Sequence, residues 1–148
     1  MIRFFRKNKF IITVSMAGAI LIAIIIGFHS LDNSQNVKII EYIESLGWQI
    51  EQRPVEISYL TIPRVFDPAF ENYNTYQKEA GFDLTSFKGT RAARYSYRVL
   101  NHQFSEFGTV RANVIMVSGQ IVAADISSNV PNGGFMHAIT EMAYLDNR

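Results

Sequence analysis

Nineteen consecutive uncharged residues, FIITVSMAGAILIAIIIGF from Phe10 to Phe28, constrain this chain more than anything else in it. Wound as a helix at 1.5 Å per residue they reach roughly 28 Å, close to the hydrocarbon thickness of a bilayer. Such a helix is apolar on every side, which suits lipid better than the surface of a soluble core. Four bases (Arg3, Arg6, Lys7, Lys9) stand just before the stretch and none just after it. The positive-inside rule then puts the N-terminus in the cytoplasm and the rest of the chain outside. A cleaved signal peptide, with a secreted domain, is the alternative. Signal cores are usually about 7–15 residues and end at a small-x-small site. Here the run is longer and closes on IIIGFHSLDN, with bulky residues at that place. The expected organisation is a cytoplasmic basic segment (1–9), a transmembrane helix (10–28), a polar linker HSLDNSQN (29–36) and an extracytoplasmic domain (37–148).

The net charge of +1 conceals an asymmetry. Residues 1–36 carry four bases and one acid, whereas residues 37–148 carry ten bases and twelve acids. An outer domain with a small negative balance gives no reason to expect nucleic acid as a partner. The chain has no cysteine. Disulfides, thiolate catalysis, thiolate metal sites and lipidation at an N-terminal cysteine are thereby excluded.

In the outer domain, VKIIEYIESLG has Val37, Ile40, Ile43 and Leu46 at helical spacing, with Ser34 or Asn36 as cap and Gly47 as stop. WQIEQRPVEISYLTIP alternates around Pro54 and predicts two short strands, or one strand broken at an edge. FDPAFENYNTYQKEAG predicts a helix capped by Asp67, with Pro68 at its first position and Gly81 at its end. Its inner stripe is Phe70, Tyr73 and Ala80, with Tyr76 or Gln77 between. GFDLTSFKG is a connector whose Phe82, Leu84 and Phe87 tuck under the sheet. In TRAARYSYRVL, Ala93, Tyr95, Tyr97 and Val99 face one way and Arg94, Ser96 and Arg98 the other. TVRANVIMV has the apolar character of a central strand, and QIVAADI returns beside it through a tight turn at Ser118–Gly119. The fold class expected is α+β: a three-stranded antiparallel meander, one or two further short strands, and two helices on one face.

LGWQIE, TIPRVFDPAFENYNTYQKEAGFDLTSFKG, RYSYRVLN, VRANVIMVSGQIVAADISS and GGFMHAI, in this order, resemble the family known as domain of unknown function 4830. The resemblance covers residues 38 to 139. It implies a self-contained extracytoplasmic domain behind an N-terminal membrane segment in Gram-positive bacteria. The family carries no established activity, so the resemblance assigns no role to any position.

Chemistry has few footholds. The three histidines, His29, His102 and His137, are widely spaced and match no zinc-binding pattern. Neither a phosphate-binding glycine loop nor a G-x-S-x-G elbow is present. The reading is therefore no metal and no cofactor. Nucleophilic catalysis would rest on Ser127 or Ser128 with His137 and Asp125, all within ADISSNVPNGGFMHAI. In the structural reading of that stretch, Asp125 binds turn amides, Phe135 and Met136 plug the core, and His137 hydrogen-bonds to Asp125 or a carbonyl. Arg94, Arg98 and Arg111 share one face of adjacent strands and form a candidate anion site for lipid headgroups, wall polymers or an acidic partner. The function that fits best is a non-enzymatic, membrane-anchored interaction or regulatory module engaging another membrane or envelope protein or an anionic envelope polymer. A small hydrolase or transferase built on Asp125, Ser127 and His137 is the alternative.

Overall fold

The computed structural model describes residues 33–129 and 133–142. The basic segment 1–9, the uncharged stretch 10–28, His29 and the Pro131–Asn132 turn lie outside the described residues. Among the described residues no helix is long and apolar enough to cross a membrane. The chain from Asn36 onward forms one compact unit.

Residues 33–45 are helical (α1) and Gly47 ends the helix at a φ of 91°, a conformation that favours glycine. The helix therefore takes in residues 33–36, which polar composition reads as linker. Neither Ser34 nor Asn36 is its cap. Asn36 sits within the helix, donates to Gln52 O at 3.2 Å and accepts from the Tyr97 hydroxyl at 2.7 Å. The buried stripe of α1 is Ile39, Ile40 and Ile43, while Val37 is exposed.

Five strands follow: β1 (Glu56–Thr61), β2 (Arg91–Arg98), β3 (Val110–Val117), β4 (Gln120–Ser128) and β5 (Phe135–Ala138). They form one antiparallel sheet in the order β1-β2-β3-β4-β5. The strand broken near Pro54 is present as an isolated bridge, Ile50 to Val99, followed by β1. Ser118 and Gly119, at φ 49° and 78°, make the tight turn between β3 and β4, with both residues in the left-handed conformation that such hairpins require. The fifth strand replaces the expected plug: Phe135 is half-buried and Met136 is exposed. Between β3 and β4 the register shifts by one residue at Ile115/Met116. Met116 faces Ile121, but Ile115 faces Ala123, so the pairing skips Val122. This bulge puts Asn113 opposite Asp125.

Strand alternation separates two faces. On the first, Tyr95, Tyr97, Ala112, Val114 and Ile126 join Trp48 and the isoleucines of α1 in one apolar cluster. On the second, Ala92, Ile115 and Ala123 pack with Ile62, Phe66 and Leu84 in another. The second helix, α2 (Pro68–Glu79), starts as expected: Asp67 Oδ1 accepts the Phe70 N–H at 2.8 Å and proline opens the first turn. The two helices do not share a face. Phe70 and Tyr73 of α2 pack against the second cluster, and Ala80 and Phe82, just beyond it, against the first. Gln77 Oε1 accepts the Ala124 N–H at 2.7 Å, a β4 edge amide beyond the end of β5. The helix thus closes the sheet edge that the short fifth strand leaves open, and a polar residue is buried to do so.

Candidate functional site

The second face is apolar at one end and polar at the other. Alternation brings Ser96 from β2, Asn113 from β3, and Asp125 and Ser127 from β4 onto the polar end. Asn113 lies at its centre, almost wholly buried. Its Nδ2 donates to Asp125 Oδ2 at 2.7 Å and to Ser127 Oγ at 2.8 Å, and its Oδ1 accepts from Ser96 Oγ at 2.8 Å. From α2 the Tyr73 hydroxyl donates to Asp125 Oδ1 at 3.1 Å. Each carboxylate oxygen of Asp125 thus has a donor, which offsets part of the cost of burying it.

Asp125 is 5% exposed. Burial pushes its pKa above the usual carboxylate range, against the downward pull of the Asn113 and Tyr73 hydrogen bonds, the nearby Arg94 charge and Ser127. Burial, followed by the adjacent Asp125 charge and hydrogen bond, holds the Tyr73 hydroxyl well above its ordinary pKa, while Arg94 acts the other way. Tyr73 accordingly keeps its proton near neutral pH and serves as a hydrogen-bond donor to Asp125.

A cavity of 470 Å³ opens over this network, with Arg94, Tyr73, Asp125 and Ser127 on its polar side and Leu60, Ile115 and Met136 on its apolar side. Arg94 is half-buried. The cavity combines one cation, several hydrogen-bonding oxygens and an apolar wall. That arrangement can orient a small ligand or the end of a larger one.

The residues singled out as a catalytic set do not converge. His137 pairs with Ile126, so it lies on the first face, whereas Asp125 and Ser127 lie on the second. Ser128 is on the first face as well, opposite Phe135, and its hydroxyl donates to Thr109 Oγ1 at 2.9 Å. The reason is the period of a strand: neighbouring residues point to opposite sides of a sheet. Asp125 does not bind turn amides, and its partners are the Asn113 and Tyr73 side chains. His137 Nδ1 lies 3.0 Å from its neighbour's carbonyl, Ala138 O, not beside Asp125. The three arginines are divided too. Arg98 and Arg111 are opposite one another in the register, but Arg98 Nη1 is engaged by Glu51 Oε1 at 3.3 Å. Arg111 Nη1 donates to Gly108 O at 2.8 Å and Val110 O at 3.1 Å. Arg94, four residues from Arg98 on an extended strand, is roughly 13 Å away along the chain and alone lines the cavity.

On the first face, residues distant in sequence form an aromatic stack. The His102 and His137 rings are 5.7 Å apart at 17°, and Phe135 stacks on both at 5.1 and 5.7 Å. Trp48 closes one side at 6.0 Å from His102, and its Nε1 donates to Ile139 O at 2.7 Å. Burial, aided by the proximity of His137, lowers the pKa of His102 to about 4. Among the described residues, no group of three or more His, Cys, Asp or Glu side chains is placed to hold a metal ion.

The family described as Domain of unknown function (DUF4830) matches residues 42–126. No curated protein and no solved structure matches the chain. The matched residues run from α1 to Ile126 and take in Tyr73, Arg94, Asn113 and Asp125.

Proposed function

We propose, from the premise that the chain belongs to the DUF4830 family, that it is a single-pass membrane protein presenting a non-enzymatic binding domain outside the cell. Its ligand is an anionic group of an envelope component, held at Arg94. The membrane part of this reading is supported by the uncharged stretch 10–28 and the four bases that precede it. The observation that carries the ligand reading is the cavity on the second face, where Arg94 stands beside a hydrogen-bonded polar cluster. A guanidinium donates in a planar fork that fits carboxylate and phosphate oxygens. Tyr73 and Ser127 supply further polar contacts, and Leu60, Ile115 and Met136 give an apolar wall for the rest of the ligand. With His137 on the opposite face, no histidine among the described residues stands beside Ser127 to serve as its base, which weighs against the hydrolase reading.

Two measurements test this. In intact cells, an external protease should remove the domain but leave a tag at the N-terminus protected. The mass of the chain in the membrane should be that of the uncleaved form. The full-length protein in detergent is then titrated with a soluble polyphosphodiester polymer and with phosphatidylglycerol vesicles. Arg94→Ala should weaken binding to one of them at least roughly tenfold, the equivalent of about 1.4 kcal/mol. Arg111→Ala should leave it unchanged. Equal binding by Arg94→Ala and the parent would overturn the assignment.

A further inference from the structure

Among the described residues no strand pairs with the outer side of β1, and the backbone of that edge dictates what fits it. At the end of β1, Ile62 donates its N–H to Thr90 O at 2.9 Å and accepts from the Gly89 N–H at 2.8 Å. The Ile62 backbone therefore faces β2. Backbone direction alternates along an antiparallel strand, so Glu56, Ser58 and Leu60 also face β2. Ile57, Tyr59 and Thr61 turn their N–H and C=O groups away from it, towards the side where the sheet order ends. The side chains at the same edge are apolar and exposed, Ile57 by 40% and Tyr59 by 84%. Natural edge strands are usually blunted by lysine, proline or a bulge. Between Pro54 and Pro63 this one has neither lysine nor proline, and the six residues of β1 pair with β2 without a break in register.

We infer that β1 is a self-association site, and that its occupant is the β1 strand of a second copy of this chain, added antiparallel across a two-fold axis through Tyr59. The register follows from which groups are available. With Tyr59 on the axis, Ile57 of each copy faces Thr61 of the other. All three outward residues then exchange both of their backbone hydrogen bonds. Sliding the pairing in one direction calls on the N–H of Val55, which is already donated to Ser96 O at 2.8 Å. Sliding it in the other calls on Pro63, which has no N–H. Charge selects the same orientation. Parallel in-register pairing sets Glu56 beside Glu56 of the second copy, whereas antiparallel pairing sets each Glu56 opposite Ile62 and keeps the two carboxylates apart. Ile57 and Tyr59 of the two copies then form one continuous apolar line on the first face of a joined, ten-stranded sheet. A two-fold, self-complementary contact of this kind closes on itself and does not propagate.

The absence of cysteine makes the test direct, because each introduced thiol is the only one. A residue on the axis meets its own copy at a Cα separation of about 5.5 Å, within disulfide range. In the full-length chain under mild oxidation, Tyr59→Cys should give a covalent homodimer roughly tenfold faster than Val65→Cys, an equally exposed position. Ile57→Cys by itself should stay monomeric, its two copies being roughly 14 Å apart along the strands, whereas Ile57→Cys mixed with Thr61→Cys should crosslink. Adding Ile57→Lys to Tyr59→Cys should slow the reaction by the same roughly tenfold factor. Tyr59→Cys reacting no faster than Val65→Cys, or forming adducts with other proteins instead of itself, would overturn the inference. Rapid self-crosslinking of Ile57→Cys would overturn the register.

Discussion

On one side of the sheet, Tyr97, Val114 and Ile126 meet α1 and Trp48, and the largest buried polar side chains are imidazoles stacked with aromatic rings. On the other side, the same strands bury an acid, an amide and a hydroxyl that hydrogen-bond to one another. The first arrangement fills volume and favours the neutral form of His102. The second spends sheet area on a polar network that an apolar packing of equal volume would replace at little cost or with a gain. Material kept at a thermodynamic disadvantage, beside a cavity, is where a binding role is best sought. The contrast also teaches that acid should act on the two faces with opposite sign.

The contrast can be broken first at Trp48. Trp48→Ala should cost about 3–5 kcal/mol in denaturant unfolding, because it empties the centre of the first face and deprives Ile139 O of its donor. On the second face, Asn113→Ala should cost less, about 1–3 kcal/mol, since what is lost is hydrogen bonding to Asp125, Ser127 and Ser96 rather than packing. An Asn113→Ala cost equal to that of Trp48→Ala would mean the polar network is as much a core as the other face. A third measurement uses pH. The folded state lowers the pKa of His102 from 6.5 to about 4, so the unfolded chain binds the proton first as pH falls. Stability should therefore drop between pH 6.5 and 4, and His102→Phe should flatten that slope in thermal melts. The smallest effect is expected at Asp125. Its pKa is raised from 3.8 in the fold, so the folded chain holds the proton longer. The contribution of this group to stability falls as pH rises from 3.8 through the raised value. The parent should thus gain on Asp125→Asn as pH is lowered through that window. A difference that shrinks instead would show that the hydrogen bonds to the charged form outweigh its burial.

Local signals were legible where local chemistry decides. Asp67, Pro68 and Gly81 mark out α2, alternation assigns the faces of β2, and Ser118–Gly119 announces the hairpin. The four residues of β5 were not, because Phe-Met-His-Ala after a glycine pair carries no more strand signal than a turn does. Nor was the opposite placement of the helices, which depends on Gln77 reaching a free amide of β4 and so on tertiary packing. His102, His137 and Trp48 come together across separations that no sequence spacing records. Asn113 was the missed member of the candidate site, although one sign of it was available. An amide inside an otherwise apolar central strand must find partners, and Asp125 lies just across the hairpin. Counting back from the turn, however, sets Asn113 against Ala124, not Asp125. The extra residue in β4 makes the difference, and nothing in QIVAADI betrays it.

That extra residue, Val122, gives β4 one residue of slack. Because the pairing passes over it, its removal would make the ladder regular and leave every later residue on its present side, with Ile115 still opposite Ala123 and Asn113 opposite Asp125. Lengthening the same stretch has no such escape: with one more residue between the hairpin and Asp125, that carboxylate would be turned in among Ala112 and the isoleucines of α1, and Ile126 out into the cavity. Deletion of Val122 should therefore be far less damaging than a one-residue insertion beside it. The domain tolerates shortening at this place and resists lengthening.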